Sequence, residues 1–425
     1  MAMAIQVVGG LIVGAAFLQG VLGVVSQLTG AVRSRRMDQR KLEAFNARTA
    51  HLLKQAESDR ERNELTWSGK RKFRIARRRI ESKDEAVCSF YLAPHDGGKL
   101  PSFYPGQFLT FELAIPNQPA PVIRCYSLSD SPLNRDQYRV SIKKLGPPPK
   151  ADPGTPGGLS SNFFHGVLKE GDVVDVMAPN GGFYLDTSSE RPVVLIGGGV
   201  GLTPVLSMLK FLADSGSHRE VWFFYGARNE TEVALRDEIE AIISDNSHFH
   251  SVFVFSGPSE HCVEGKHYNA KGYLGVELLK QYLKSSNYEF YICGPPPMMD
   301  SITTQLSEWG VPEEDIRMEA FGPASVKKPA KVESADGAAA PGFKVNFTRS
   351  GKAVVWKADS GTLLDLAEAN GIRINSGCRA GNCGTCLTAL KDGSVSYITK
   401  PASKPATGST LVCVACPAGD ISIDA

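Results

Sequence analysis

The residues with the strongest chemical signature in this 425-residue sequence are its clustered cysteines. Cys378-Arg379-Ala380-Gly381-Asn382-Cys383-Gly384-Thr385-Cys386 places three thiols at C-x4-C-x2-C spacing, with Cys413 and Cys416 further on. Thiolates at this spacing, completed by a distant fourth cysteine, match the plant-type 2Fe–2S pattern. Small residues between the thiols let the loop wrap a cluster and aim backbone N–H groups at its sulfurs. A zinc ribbon is the competing pattern: Cys383-x-x-Cys386 and Cys413-x-x-Cys416 would form two knuckles and leave Cys378 over. Cys88, Cys125, Cys262 and Cys293 are scattered. Five clustered thiols beside nucleotide-type motifs argue for metal ligation rather than disulfides, and hence for a reducing compartment.

Two further groups carry chemistry. Arg124-Cys125-Tyr126-Ser127, read as the start of a strand, offers a cation for a phosphate, a flat ring face and a hydroxyl donor. Those are what a flavin needs. Gly158-Leu159-Ser160-Ser161-Asn162 opens a helix, where glycine admits a pyrophosphate and the hydroxyl and amide groups cap it. Each also has an ordinary reading, as a strand segment and as a helix N-cap. Residues 192–199, PVVLIGGG, run into Val200-Gly201-Leu202-Thr203-Pro204 and an apolar helical stretch. Strand, glycine turn and helix form a dinucleotide site, here as Gly199-x-Gly201-x-x-Pro204 rather than three glycines.

The elements that position these groups differ along the chain. From residue 67, short β-like runs punctuated by turn residues predict an antiparallel barrel. From 189, strands alternate with helices, as in VWFFYGARNETE and YEFYICGPPPMM, which predicts a parallel α/β sheet. Residues 324–342, ASVKKPAKVESADGAAAPG, have the composition of a linker.

In this order the motifs resemble the ferredoxin–NADP reductase superfamily, especially flavohemoglobin reductase halves and oxygenase reductases. The last domain resembles plant ferredoxins. The resemblance implies that Arg124, Tyr126 and Ser127 hold the flavin, joined by Gln107 of Pro105-Gly106-Gln107-Phe108. Gly158, Ser161 and Asn162 would hold its phosphates. Cys293-Gly294-Pro295 matches the motif beside the nicotinamide, where Cys293 and Thr203 position the ring. In Glu319-Ala320-Phe321-Gly322-Pro323, Phe321 would cover the flavin and Glu319 sit at its edge. Cys413-Val414-Ala415-Cys416-Pro417 is similar to the family's Cys-Val-Ala-Tyr-Pro, which makes Cys378, Cys383, Cys386 and Cys413 the ligands and sets Cys416 aside. FAD is the expected flavin, with FMN the alternative. Arg228, after Tyr225-Gly226-Ala227, would meet a 2′-phosphate and select NADPH, but similar stretches occur in NADH-using reductases, so NADH is expected.

Residues 4–25, AIQVVGGLIVGAAFLQGVLGVV, carry no charge and as a helix would span about 33 Å. Basic residues follow rather than precede them, so a single-pass anchor with cytoplasmic catalytic domains is expected. Between Arg33 and Ile80, 16 Lys and Arg face 6 Asp and Glu, and residues 36–63 read as helix, suited to an anionic headgroup surface or to a solvated stalk. The whole chain's net charge of +2 gives no nucleic-acid signal. The expected map is a transmembrane anchor (1–32), a basic juxtamembrane helix (33–66), a flavin-binding β-barrel (67–188), an NAD(P)-binding α/β domain (189–324), a linker (325–342) and a β-grasp ferredoxin domain (343–425). The expected function is passage of hydride from NAD(P)H to flavin and then of single electrons through the cluster. The acceptor is expected to be an oxygenase, desaturase or other redox protein, itself membrane-bound in one version. The alternative is a flavin subunit of a membrane NADH:quinone-type complex, against which the domain order argues.

Overall fold

The computed structural model describes residues 49, 56–147, 152, 154–321, 342–399, 401 and 405–425. The anchor expected at 1–32, most of the juxtamembrane helix and the linker up to residue 341 lie outside the described residues. Among the described residues no helix is long and apolar enough to cross a membrane. The chain divides into two compact units, Met1–Glu64 and Leu65–Ala425. In α1, described over 56–65, Arg60 pairs with Glu64 one turn on at 2.8 Å.

The second unit opens with six antiparallel strands: β1 (Arg71–Ile80), β2 (Val87–Pro94), β3 (Phe108–Leu113), β4 (Val122–Ser127), β5 (Tyr138–Lys143) and β6 (Val173–Asn180). Their order is β4-β3-β6-β1-β2-β5, and a Leu128–Val140 bridge joins the two edge strands, closing the sheet. Side chains alternate across each strand, so Phe73 and Ile75 of β1 turn into a core shared with Phe90, Phe111 and Phe164. The densest part of the basic run therefore belongs to the outer face of a strand. There Lys72 pairs with Asp175 and Arg77 lies over the Tyr91 ring, while Arg71, on the face of Phe73 at the strand's start, pairs with Asp96. Arg124-Cys125-Tyr126-Ser127 ends β4 instead of starting a strand. Helix α2 (Leu159–Gly166) packs Phe164 onto the barrel.

The next module is a six-stranded parallel sheet in the order β10-β9-β8-β7-β11-β12. It comprises β7 (Val193–Gly198), β8 (Val221–Ala227), β9 (Phe249–Phe255), β10 (Ala270–Lys271), β11 (Glu289–Cys293) and β12 (Ile316–Glu319). The helices are α3 (Leu202–Asp214), α4 (Arg236–Asp245), α5 (Val276–Tyr282) and α6 (Pro296–Glu308). Strands β7 and β11 read as near-continuous apolar runs because both faces are covered. Chain order reverses between them, and a crevice opens beyond the carboxyl ends of strands at such a point.

The last domain wraps a mixed sheet, β14-β13-β19-β15-β17, around one helix. Its strands are β13 (Phe343–Phe347), β14 (Lys352–Trp356), β15 (Leu387–Asp392), β17 (Ser409–Leu411) and β19 (Ile421–Ile423), with a separate pair, β16 (Val395–Tyr397) and β18 (Ala415–Pro417). Helix α7 (Leu363–Ala369) starts at a capping box of Thr362 and Asp365 and buries Leu363, Leu364 and Leu366. This is the β-grasp arrangement the sequence leads one to expect.

Barrel and nucleotide module are joined by buried charge. Arg139 of β5 reaches Glu238 of α4 at 2.8 Å, Lys210 of α3 reaches Asp130 at 2.8 Å, and Lys210 also pairs with Glu238. Ser207 donates to the Asp130 carbonyl at 2.7 Å. Burial works against ionisation of Glu238, yet Arg139 and Lys210 hold its carboxyl below the usual range. Removing one partner of such a pair leaves the other charge without compensation. Glu238→Ala is expected to cost about 3 kcal/mol, read as a lower denaturant midpoint at unchanged slope.

Candidate functional site

A cavity of about 570 Å³ lies where the barrel, the nucleotide turn and the cysteine loop meet. Its walls come from β4 (Arg124, Cys125, Tyr126, Ser127), the start of α2 (Gly158, Ser160, Ser161), the nucleotide module (Val200, Thr203, Glu319, Phe321) and the ferredoxin domain (Gly377, Cys378, Arg379, Asn382). That size is ordinary for a small-molecule site.

On the barrel side, Tyr126 OH meets Ser160 Oγ at 2.9 Å, and its ring is held edge-on by Phe111 and Phe164. Ser161 Oγ donates to the Gly158 carbonyl at 3.1 Å and accepts from Leu145 N at 3.2 Å. No side chain caps α2, so its first N–H groups face the cavity as anion donors. Burial, and then the neighbouring Arg379, hold the Arg124 guanidinium below its usual range. Arg379 is itself clasped by Glu368 at 2.9 and 2.5 Å, and Arg124 Nη1 donates to the Ile123 carbonyl at 2.7 Å.

On the nucleotide side, Gly201 passes so close to β11 that an added Cβ would stand 2.7 Å from Gly294 N. Only glycine permits that approach. Thr203 Oγ1 donates to the Val200 carbonyl at 3.1 Å. Cys293 pairs in register with Gly197 on one side and Glu319 on the other. Burial, with Glu319 nearby, pushes the Cys293 thiol well up, so it is neutral. Glu319 is buried with Oε2 unpartnered. Burial raises its carboxyl to about 8, against the opposing hydrogen bond with Ser127.

Other sequence candidates sit outside the walls. Gln107 Oε1 accepts from Tyr104 N at 2.9 Å, and the Asn162 amide donates to the Leu145 and Gly158 carbonyls. Both brace the loops that shape the cavity. Gly199, Pro204, Gly294 and Pro295 frame the turn at the strand ends, with Pro295 capping α6. Arg228 is exposed and paired with Glu232 at 3.2 Å. Conversely, Ser160 and Cys125 stood inside motifs read for their neighbours. Arg379 and Asn382 looked like filler between ligands, and no local signal ties them to a flavin.

The thiols fall into two pairs. Cys378 Sγ accepts from the N–H groups of Ala380, Asn382 and Cys383 at 3.3–3.4 Å, and Cys383 Sγ accepts from Cys378 N at 3.2 Å. Hydrogen bonds from Cys125 and then Cys378 hold Cys383 well below the ordinary thiol range. A hydrogen bond from Cys413 likewise lowers Cys386. Among the described residues no three Cys, His, Asp or Glu side chains converge as a single-ion site. Two thiol pairs, the first with N–H donors at both sulfurs, suit two irons instead. Cys416 turns away to the Gly361 carbonyl at 3.6 Å, its thiol pushed by burial to about 11, so the zinc-ribbon pairing has no support.

Residues 195–304 match the family model for an oxidoreductase NAD-binding domain, and 346–418 that for a 2Fe-2S iron-sulfur cluster binding domain. The flavohemoprotein of Bacillus cereus is 39% identical over 259 residues, 61% of this chain and 62% of the relative, so the chain spans less than two thirds of that protein. The flavohem-like FAD/NAD binding domain of nitric oxide dioxygenase from Vibrio cholerae is 30% identical and covered over its whole length, 60% of this chain, with a TM-score of 0.53. The chain belongs to the ferredoxin–NADP reductase superfamily. Phthalate dioxygenase reductase, described as a modular structure for electron transfer from pyridine nucleotides to [2Fe-2S], matches across 84% of this chain and 98% of its own (26% identity, TM-score 0.51). This superfamily member is thus an oxidoreductase whose flavin- and nicotinamide-binding module is followed by a 2Fe–2S domain.

Two outcomes follow from the site. Cys413→Ser is expected to abolish the visible cluster spectrum while Cys416→Ser keeps it; the reverse result sinks the ligand assignment. Glu319 ionises near 4.5 when exposed and near 8 in the fold. Its contribution to stability is therefore present below about 4.5 and is lost as pH rises to about 8. Denaturant midpoints of the flavin-free protein should fall across that window relative to Glu319→Gln, which lacks the titration.

Proposed function

We propose that this protein is a membrane-anchored reductase that takes electrons from NADH and passes them singly, through its 2Fe–2S domain, to a separate redox protein such as an oxygenase or desaturase. The observation that carries this reading is the shared cavity: β4, the nucleotide turn and the cysteine loop all line it. A bound flavin, for which we favour FAD, takes up two electrons together and releases them one at a time.

The chain's own residues supply position and electrostatics. Arg124 and the N–H groups at the start of α2 offset phosphate charge, and Tyr126, fixed by Ser160, offers a flat face. Glu319, mostly protonated at neutral pH, holds a proton at a carboxyl oxygen able to donate at the cavity wall beside Ser127. Thr203 lines the cavity, and the neutral Cys293 lies fully buried at the carboxyl end of β11, outside the walls, so neither adds charge there. Arg228, the cation that would select a 2′-phosphate, is engaged by Glu232, which supports NADH over NADPH. The apolar run at 4–25 supports the anchor, and its position before the basic segment supports catalytic domains in the cytoplasm.

Anaerobic NADH is expected to bleach both flavin and cluster absorbance, whereas bleaching of the flavin alone would remove the cluster from the path. Arg124→Ala should weaken flavin retention at least tenfold, since a hydrogen bond to a charged group contributes about 1.5–3 kcal/mol, measured by equilibrium dialysis of the flavin. Extraction from membranes with its partner decides the acceptor. A co-purifying di-iron or Rieske protein supports the reading, and a multi-span quinone-linked complex replaces it.

A further inference from the structure

Cys125 lies between two flavin-site residues, yet its side chain has a different destination. It stands opposite Thr110 in the β3–β4 ladder, and alternation along the strand turns it to the face opposite Arg124 and Tyr126. Thr110 Oγ1 sits 3.4 Å from its sulfur. On the other side is Gly377, the residue before the first cluster ligand. A Cβ at 377 would lie 3.2 Å from Cys125 Sγ and 3.1 Å from Cys383 Sγ. With only hydrogen there, the barrel thiol and the loop thiol close on the same glycine, near enough for one to donate to the other. A strand of the flavin domain thus touches a ligand of the cluster directly, over a residue with no side chain to separate them.

We propose that Cys125 is a non-ligating donor to the cluster, its S–H hydrogen-bonding the Cys383 sulfur across the domain interface and raising the cluster's reduction potential. The proposal rests on the 2Fe–2S reading given above. Donors at a ligand sulfur offset the extra negative charge of the reduced cluster, so they favour reduction. Backbone N–H groups of the loop provide such donors from within the ferredoxin domain. Cys125 adds one that exists only while that domain is docked on β4. Thr110 orients it, because its hydroxyl can donate to the Cys125 sulfur and leave the thiol proton for Cys383.

The test uses the holoenzyme with Cys125→Ala, the volume-matched Cys125→Val, and Cys125→Ser, which retains a donor. The readouts are cluster midpoint potential and proton ENDOR of the reduced cluster in H2O and D2O. Cys125→Ala and Cys125→Val should keep the visible cluster spectrum, lose one exchangeable coupling, and shift the flavin-to-cluster electron equilibrium about tenfold toward the flavin. That is about 59 mV for one electron. Cys125→Ser should restore the coupling and most of the potential. Unchanged coupling and potential in the Ala or Val variant would overturn the proposal. So would loss of the cluster from either, which makes Cys125 a ligand or a structural support. Absence of any 2Fe–2S signal from the unmutated holoenzyme is a separate result, since it removes the functional reading itself.

Discussion

The buried guanidinium of Arg139 holds two modules in one geometry, and the cavity depends on it. Arg139 on the barrel and Lys210 on the nucleotide module converge on Glu238, while Asp130 returns the second contact from the barrel. Such charges are costly to bury singly and tolerable only when paired, so sliding of one module on the other is opposed. The distance between Ser127 on β4 and Glu319 on β12, which share a hydrogen bond, is set by that docking. A carboxyl kept mostly neutral by its burial then adds little charge to that wall of the cavity at neutral pH, and the Cys293 thiol buried beside it is neutral as well.

The parts legible in the sequence were those written in short stretches of chain. A strand running into glycines and a helix announces β7 and α3 within a dozen residues. Three thiols at the plant-type spacing lie in nine consecutive positions. The barrel was visible as alternation and turns, although the flavin tetrapeptide proved to end its strand because β3 pairs with it through Ser127. What the sequence does not show is which nearby group a polar side chain takes as its partner once the chain has turned. Arg228 is engaged by Glu232, four residues on. Gln107 and Asn162 have the right chemistry for a ligand, but nearby backbone groups take up their hydrogen-bonding capacity. Arg379 and Asn382 reach the flavin cavity only because the ferredoxin domain docks there.

Cys416 shows the converse, a residue whose type misleads while its surroundings do not. It completes a second C-x-x-C pattern, yet β18 carries its sulfur toward Gly361, where burial makes it a neutral core group. Cys378 gathers three backbone N–H donors in an otherwise similar stretch of thiols. Cys378 and Cys416 thus differ in the backbone groups around the sulfur, which spacing encodes only in part.

The shared cavity also constrains how the molecule is built. Its walls run from residue 108 to residue 382, so the pocket is complete only after the last domain has been made and docked. Domains fold as units as the chain emerges, N-terminal parts first. The barrel and nucleotide sheet therefore present an open trough while the ferredoxin domain is still being synthesised. Until that loop docks, one wall of the cavity is missing, so the ferredoxin domain is part of the pocket's architecture as well as a separate module.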